Sequence, residues 1–263
     1  MSTDRVPSAD RALSADRAPS TGRTPPTRPS LRERRRAVAV QEIVGAAESH
    51  IVEHGPHALS LRAVARDLGM TVQALYHYFP SRDDLVTALV TKAYDDLADA
   101  VQAATAAAPH TPELPGMVVA AEGYRRWAID HPERFQLLYG APLRHYHAPV
   151  DGPTTEANRR MSAVFERELF RGFTRDQLAG ADVRSLSPEF LEHLAQMAPA
   201  GGAALPPAAT ALMLSVWGYV HGMVALEVFG HTGFLGAHQA ELYRMAMCNL
   251  LADTHRRIPA ATA

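Results

Sequence analysis

Leu61-Arg-Ala-Val-Ala-Arg-Asp-Leu-Gly69-Met-Thr-Val-Gln-Ala-Leu75-Tyr-His-Tyr-Phe79-Pro-Ser-Arg-Asp-Asp-Leu85 is the stretch on which the fold turns. Ser60 stands before it as an N-cap residue, and Leu61, Val64, Ala65 and Leu68 recur at helical spacing on one apolar face. Gly69 ends that helix. Thr71 can cap a short second helix reaching to about Phe79, where Pro80 blocks continuation. Two helices joined by a short glycine-containing turn form the helix-turn-helix layout, in which the second helix enters the major groove of DNA. Leu75 and Phe79, four residues apart, would pack inward on Leu61, Ala65 and Leu68. Gln73, Tyr76 and His77 are then left together on the opposite face.

Working outward, the pattern stays helical. Ser81-Arg-Asp-Asp84 has the form of a capping box and opens a long helix to about Ala108. Upstream, Val40, Ile43, Val44, Ala47 and Ile51 mark an amphipathic helix that ends near Gly55-Pro56. Downstream, the pattern predicts helices over Leu114–His131, Pro132–Tyr139, Thr154–Gly172, Pro188–Met197, Ala208–Phe229 and Ala237–Arg256. No alternating runs bounded by turn signals are evident, so the expected fold class is all-α. Residues 1–30 are rich in Pro, Ser, Arg and Ala, with the near-repeat at Ser8 and Ser14, and are expected to be a disordered basic tail. The expected organisation is that tail, a helix-turn-helix domain over 31–80 whose core extends into the linking helix to about 95, and a helical domain over 81–263.

Composition narrows the function classes. With 263 residues, 47% of them hydrophobic, the chain can fill a real core. The net charge of −2 argues against a protein that coats nucleic acid. Residues 1–92 nevertheless carry 13 basic and 10 acidic side chains and residues 93–263 carry 13 and 18, which places a mildly basic part on an acidic body. The single cysteine, Cys248, excludes an internal disulfide framework and suits a reducing cytoplasm. The N-terminus lacks the apolar core of a signal peptide. No Asp, Glu, Lys or Arg lies between Glu192 and Glu227, but the helix within that run carries His221 and lacks flanking Arg or Lys, so a buried helix is expected rather than a membrane span. His131, His145 and His147 invite a metal reading, yet a lone His-x-His in a Pro-flanked loop does not define a site, and no metal or cofactor is expected. No nucleophile elbow, phosphate loop or paired-carboxylate motif is present, which sets an enzyme aside.

The side chains near the second short helix suit DNA. Gln73 can contact adenine bidentately, an exposed Val72 or Ala74 can touch a thymine methyl, and the hydroxyls of Thr71 and Tyr76 can reach phosphate or base. Arg62, Arg82 and the run Arg34-Arg35-Arg36 could neutralise phosphates, although Arg62 and the run also read as solvated charge. Tyr76 and Tyr78 have a second reading as domain-core aromatics.

The stretch from Ile43 to Leu89, and above all Leu75-Tyr76-His77-Tyr78-Phe79, resembles the DNA-binding domain of TetR/AcrR-type regulators. That resemblance implies that Thr71, Val72, Gln73 and Ala74 lie at bases or phosphates and that Tyr76, His77 and Tyr78 mostly hold the DNA backbone. It further implies that Arg82, where the family usually has Lys, keeps a phosphate contact. Segments around Tyr124–Phe135 and Trp217–Gly222 look like parts of some branches of the family. From the resemblance follow a homodimer paired through its last two long helices, a pseudo-palindromic operator on double-stranded DNA, and a C-terminal pocket for a small-molecule effector that would release a repressor. An effector-independent activator or architectural protein is the alternative. Tyr124, Trp127, Phe135, Tyr139, Phe165, Trp217 and His221 are the candidate pocket residues, each of which also reads as core packing.

Overall fold

A computed structural model describes residues 30–108, 114–141, 146, 152–197 and 204–260. These residues form α1 (Leu31–His54), α2 (Leu61–Asp67), α3 (Val72–Tyr76), α4 (Arg82–Ala107), α5 (Gly116–Asp130), α6 (Pro132–Tyr139), α7 (Pro153–Leu169), α8 (Arg175–Ala179), α9 (Pro188–Gln196), α10 (Pro207–Val228) and α11 (Gln239–Arg256). No strand occurs among the described residues, and the fold is all-α. The expected tail lies outside them apart from Ser30.

Local chemistry explains where the boundaries fall. The first helix starts at Leu31, well before the apolar pattern begins at Val40, because Ser30 and Glu33 form a capping box. The Ser30 N–H donates to the Glu33 carboxylate at 2.6 Å, and the Glu33 N–H donates to the Ser30 hydroxyl at 3.2 Å. Thr71 caps α3 as expected, but the α-helix ends at Tyr76, and the N–H groups of Tyr78 and Phe79 both return to the Leu75 carbonyl. Ser81 and Asp84 make the expected capping box at the start of α4. The pattern missed α8, whose five residues are too short to display a period. A Thr174–Gln177 capping box starts it.

Two hydrophobic clusters organise the chain. The first gathers Ile43, Ala47 and Ile51 from α1 with Val64 and Ala65 from α2, Leu75 from α3 and Leu85 and Leu89 from α4. The second gathers Leu97 and Val101 from α4 with Tyr124, Phe135, Phe165, Val216 and Tyr243. One uninterrupted helix, α4, therefore belongs to both. Its close approach to α5 depends on Gly123, where a Cβ would sit 2.9 Å from that of Ala104. At the start of α5, Gly116 admits the Glu168 carboxylate, which a side chain there would strike. Burial raises the Glu168 pKa, but hydrogen bonds from Arg171 and Arg167 outweigh it and hold the carboxyl below its ordinary value.

The uncharged helix α10 buries Ala209, Leu212, Val216, Val220 and Val224. Glu227, near its end, is neutralised by a bidentate pair with Arg125 of α5, and the Arg125 guanidinium also lies 5.7 Å from the Tyr243 ring centre. By length and composition alone, α10 is long and apolar enough to cross a membrane. Burial within the protomer covers one side only. Leu214, Tyr219 and Leu226 remain 44%, 47% and 48% exposed, so the protomer alone does not complete the burial expected of this helix.

Candidate nucleic-acid interface and sensing residues

Leu75 is fully buried, and this fixes the rotation of α3. Thr71, Gln73, Tyr76 and His77 are exposed, and Ala74 is partly so, on the face turned from the core. The Thr71 hydroxyl accepts from the Ala74 N–H at 3.2 Å, so its cap serves the helix in the absence of DNA. Val72 and Tyr78 are placed differently. Both are partly buried against the first cluster, and Tyr78 joins the packing that its second reading anticipated.

The arginines divide by how they are held. Arg36 is bound within the protein: it donates to the His77 carbonyl at 3.1 Å, and its guanidinium lies 5.3 Å from the centre of the Tyr78 ring. That contact ties the first turns of α1 to the end of α3 and steadies the recognition element. Arg34, Arg35 and Arg62 are exposed and have no ion-pair partner among the described residues. Arg66 instead pairs loosely with Asp67 at 3.6 Å. A groove of about 640 Å³ runs between α1 and α3, lined by Arg32, Arg35, Arg36 and His77 with Ala74 and Tyr78. Arg82 directs its Nε–H to the Leu59 carbonyl at 3.1 Å, which anchors the stem and leaves the terminal nitrogens for other acceptors. The arrangement can receive phosphates on both flanks of a helix whose polar face is free to meet base edges.

The sensing candidates converge on Tyr124. Its ring lies within 6.5 Å, centre to centre, of those of Phe135, Tyr139, Phe165, Trp217 and His221. Its hydroxyl is 2.8 Å from His221 Nδ1. Burial pushes the Tyr124 phenol well above its ordinary value and pulls the His221 imidazole below its own, so this hydrogen bond joins a neutral phenol to an imidazole that favours its neutral form. Trp127 is buried but faces His131 at 5.5 Å, apart from this group. The Tyr139 hydroxyl has Tyr94 and Tyr124 as neighbours, yet neither meets it in hydrogen-bonding geometry, and it is buried without a partner. Tyr94, Tyr146 and Asn158, which line a separate cleft beside this group, were not singled out by periodicity. They come from three distant segments that no local signal connects. His145 and His147 lie outside the described residues, and no group of three or more His, Cys, Asp or Glu disposed to hold a metal occurs among the described ones.

Comparison with known proteins gives consistent results. Residues 43–89 match the family of bacterial regulatory proteins of tetR type, and residues 117–250 match the tetracyclin repressor-like C-terminal domain. The HTH-type transcriptional regulator Rv1816 of Mycobacterium tuberculosis is 35% identical over 208 residues, covering 78% of this chain and 87% of that protein. The solved structure of the regulatory protein SCO4313 superposes with a TM-score of 0.67 at 33% identity, over 85% of this chain and 100% of that one. A Rhodococcus protein of unknown function shares the fold, with a TM-score of 0.59 at 21% identity over 88% and 98% of the two chains.

Proposed function

Because the chain belongs to the TetR family of bacterial transcription regulators and carries its DNA-binding helix-turn-helix, we propose that it acts as a homodimeric repressor released from a pseudo-palindromic operator by a small effector. The observation that carries this reading is the continuity of α4 through both hydrophobic clusters. A ligand that favours one arrangement of the helical body over another moves the first turns of α4, and with them the capped start that holds Arg82. The reading unit then comprises α1 to α3 with α4 to about residue 95, and the remainder is the sensing and dimerising body, working in the cytoplasm.

The uncovered side of α10 supports the dimer. Leu214, Ser215, Gly218, Tyr219, Gly222 and Leu226 follow one another at helical spacing along it, and Leu242, Met245 and Cys248 lie exposed on α11. A Cβ on Gly218 or Gly222 would meet nothing within 4 Å in the protomer, so no intramolecular contact requires glycine there. A two-fold mate approaching along this face gives a reason for both. Two recognition helices would then stand about one DNA turn apart.

Selection of bound sequences from random duplex DNA by the full-length protein tests the reading. The expected outcome is a motif with two inverted half-sites centred roughly 10 base pairs apart or a multiple of that, bound by two protomers and located upstream of a gene whose transcription rises when the protein is deleted. Enrichment of a single asymmetric half-site by a monomer refutes the dimer, and a fall in transcription on deletion refutes repression.

A further inference from the structure

His50 of α1 is a buried titratable side chain that the DNA-facing surface does not use. Its imidazole, 7% exposed, is directed at two acceptors. Nε2 is 3.4 Å from the Ala58 carbonyl, and Nδ1 is 3.4 Å from the Asp67 carboxylate at the end of α2. A carbonyl and a carboxylate only accept, so the ring meets either of them by donating. His54, one turn further along α1, stacks on this ring with 4.5 Å between centres and 22° between planes, which holds its orientation. Apolar bulk alone would serve packing at this position, whereas two acceptors facing the ring call for a donor.

The Ala58 carbonyl is one of a consecutive pair. Its successor, the Leu59 carbonyl, receives the Nε–H of Arg82 at 3.1 Å. Leu59 is buried, and its φ of −58° and ψ of 121°, followed by −141° and 143° at Ser60, describe extended backbone. Extended backbone aims successive carbonyls to different sides. The segment between α1 and α2 is thus gripped by α1 through His50 and by α4 through Arg82. Ser60, which caps α2 by accepting from the Ala63 N–H at 3.2 Å, follows directly. Displacement of Ala58 moves the Leu59 carbonyl, which is the anchor for the Arg82 stem, and so turns the terminal nitrogens of Arg82 out of register.

We propose that His50 is a positioning residue for DNA binding: by donating to the Ala58 carbonyl it fixes the Leu59 carbonyl, and through that anchor it aims the Arg82 guanidinium at a phosphate. The proposal rests on the reading of Arg82 as a phosphate contact. His50 itself is buried away from the DNA-facing surface and acts only through Arg82. A packing role would make His50 matter for stability and leave the electrostatics of binding untouched.

Fluorescence anisotropy of the full-length protein on the selected operator, across a series of salt concentrations, tests the proposal. The variants are His50→Phe, His50→Gln, Arg82→Ala and the combination of His50→Phe with Arg82→Ala, each checked for a cooperative thermal transition above the assay temperature. Arg82→Ala lowers the slope of log affinity against log salt, because one phosphate contact per protomer is lost. His50→Phe is expected to lower it comparably and to weaken binding about tenfold, as for a lost hydrogen bond to a charged group. The combined variant is expected to bind no more weakly than Arg82→Ala, since both changes remove the same contact. His50→Gln, whose carboxamide N–H can reach the Ala58 carbonyl, is expected to retain the slope. An unchanged slope in His50→Phe beside a lowered one in Arg82→Ala overturns the proposal alone, as do losses that multiply in the combined variant. An unchanged slope in Arg82→Ala removes the phosphate contact and the proposal with it. Should His50→Phe lack a cooperative transition, His50→Leu takes its place under the same criteria.

Discussion

Gln73 and Arg82 flank the same short helix but are held in different ways. The carboxamide of Gln73 is exposed on the outer face of α3, while Arg82 is anchored through Leu59 at the helix that follows. Gln73→Ala is therefore expected to relax preference at one base position, by about 1–3 kcal/mol of discrimination, in a competition assay across operator variants. Arg82→Ala is expected to weaken all sequences alike and to lower the slope of log affinity against log salt by about one. Equal, sequence-independent losses in both would remove Gln73 from base readout. His221 makes a pH prediction. Its folded-state pKa lies below the ordinary 6.5, so between those two values the unfolded chain binds more protons than the folded one. Stability is then unaffected by this residue above about pH 6.5 and falls as the pH drops toward the lowered value. Urea midpoints taken at pH 7.5 and 5.5 should show a decline that is smaller in His221→Gln. At this scale the exposed face of α3 was legible, because Leu75 and Phe79 set its rotation from spacing alone. The bond from Arg36 to the His77 carbonyl was not, since it joins residues 41 apart whose meeting depends on how α1 packs.

Helix boundaries follow capping chemistry more closely than apolar period. The box at Ser81 was readable because it directly precedes a strong pattern. The equivalent box at Ser30 precedes a polar, arginine-rich turn and gave no such cue, and α8 is shorter than the period needed to reveal it. Ser81→Ala is expected to lower stability by about 1 kcal/mol in equilibrium unfolding, from loss of the side-chain acceptor for the Asp84 N–H. On α10 the sequence disclosed an apolar helix without disclosing which of its sides the protomer leaves uncovered. Gly218→Ala offers a test in which two effects carry opposite signs. The protomer gains up to about 1 kcal/mol of helix propensity, while self-association followed by analytical ultracentrifugation should weaken by at least about tenfold. Unchanged association would place the dimer interface elsewhere.

Across the whole molecule, an ion cluster spans the junction of the two hydrophobic clusters. Lys92 of α4 reaches Glu48 of α1 at 3.2 Å and Asp96 at 2.7 Å, and Arg134 of α6 reaches the same two carboxylates at 3.5 and 3.1 Å. Glu48→Gln leaves both cations to Asp96 alone. Because these groups are partly solvated, the expected stability loss is only about 1 kcal/mol or less, whereas the position of α4 relative to α1 should change enough to alter operator affinity. Spacing could not anticipate this cluster, which needs three helices to converge. The sharing of α4 has a further consequence for inheritance and for engineering. A cut after Pro80 strips Leu85, Val86, Leu89 and Val90 from the first cluster and leaves its remaining helices without a floor. The DNA reader can be transplanted only with the opening turns of α4 attached. A chimaera that gives it a foreign sensor must be spliced inside that helix, beyond Val90, with the helical phase kept across the join.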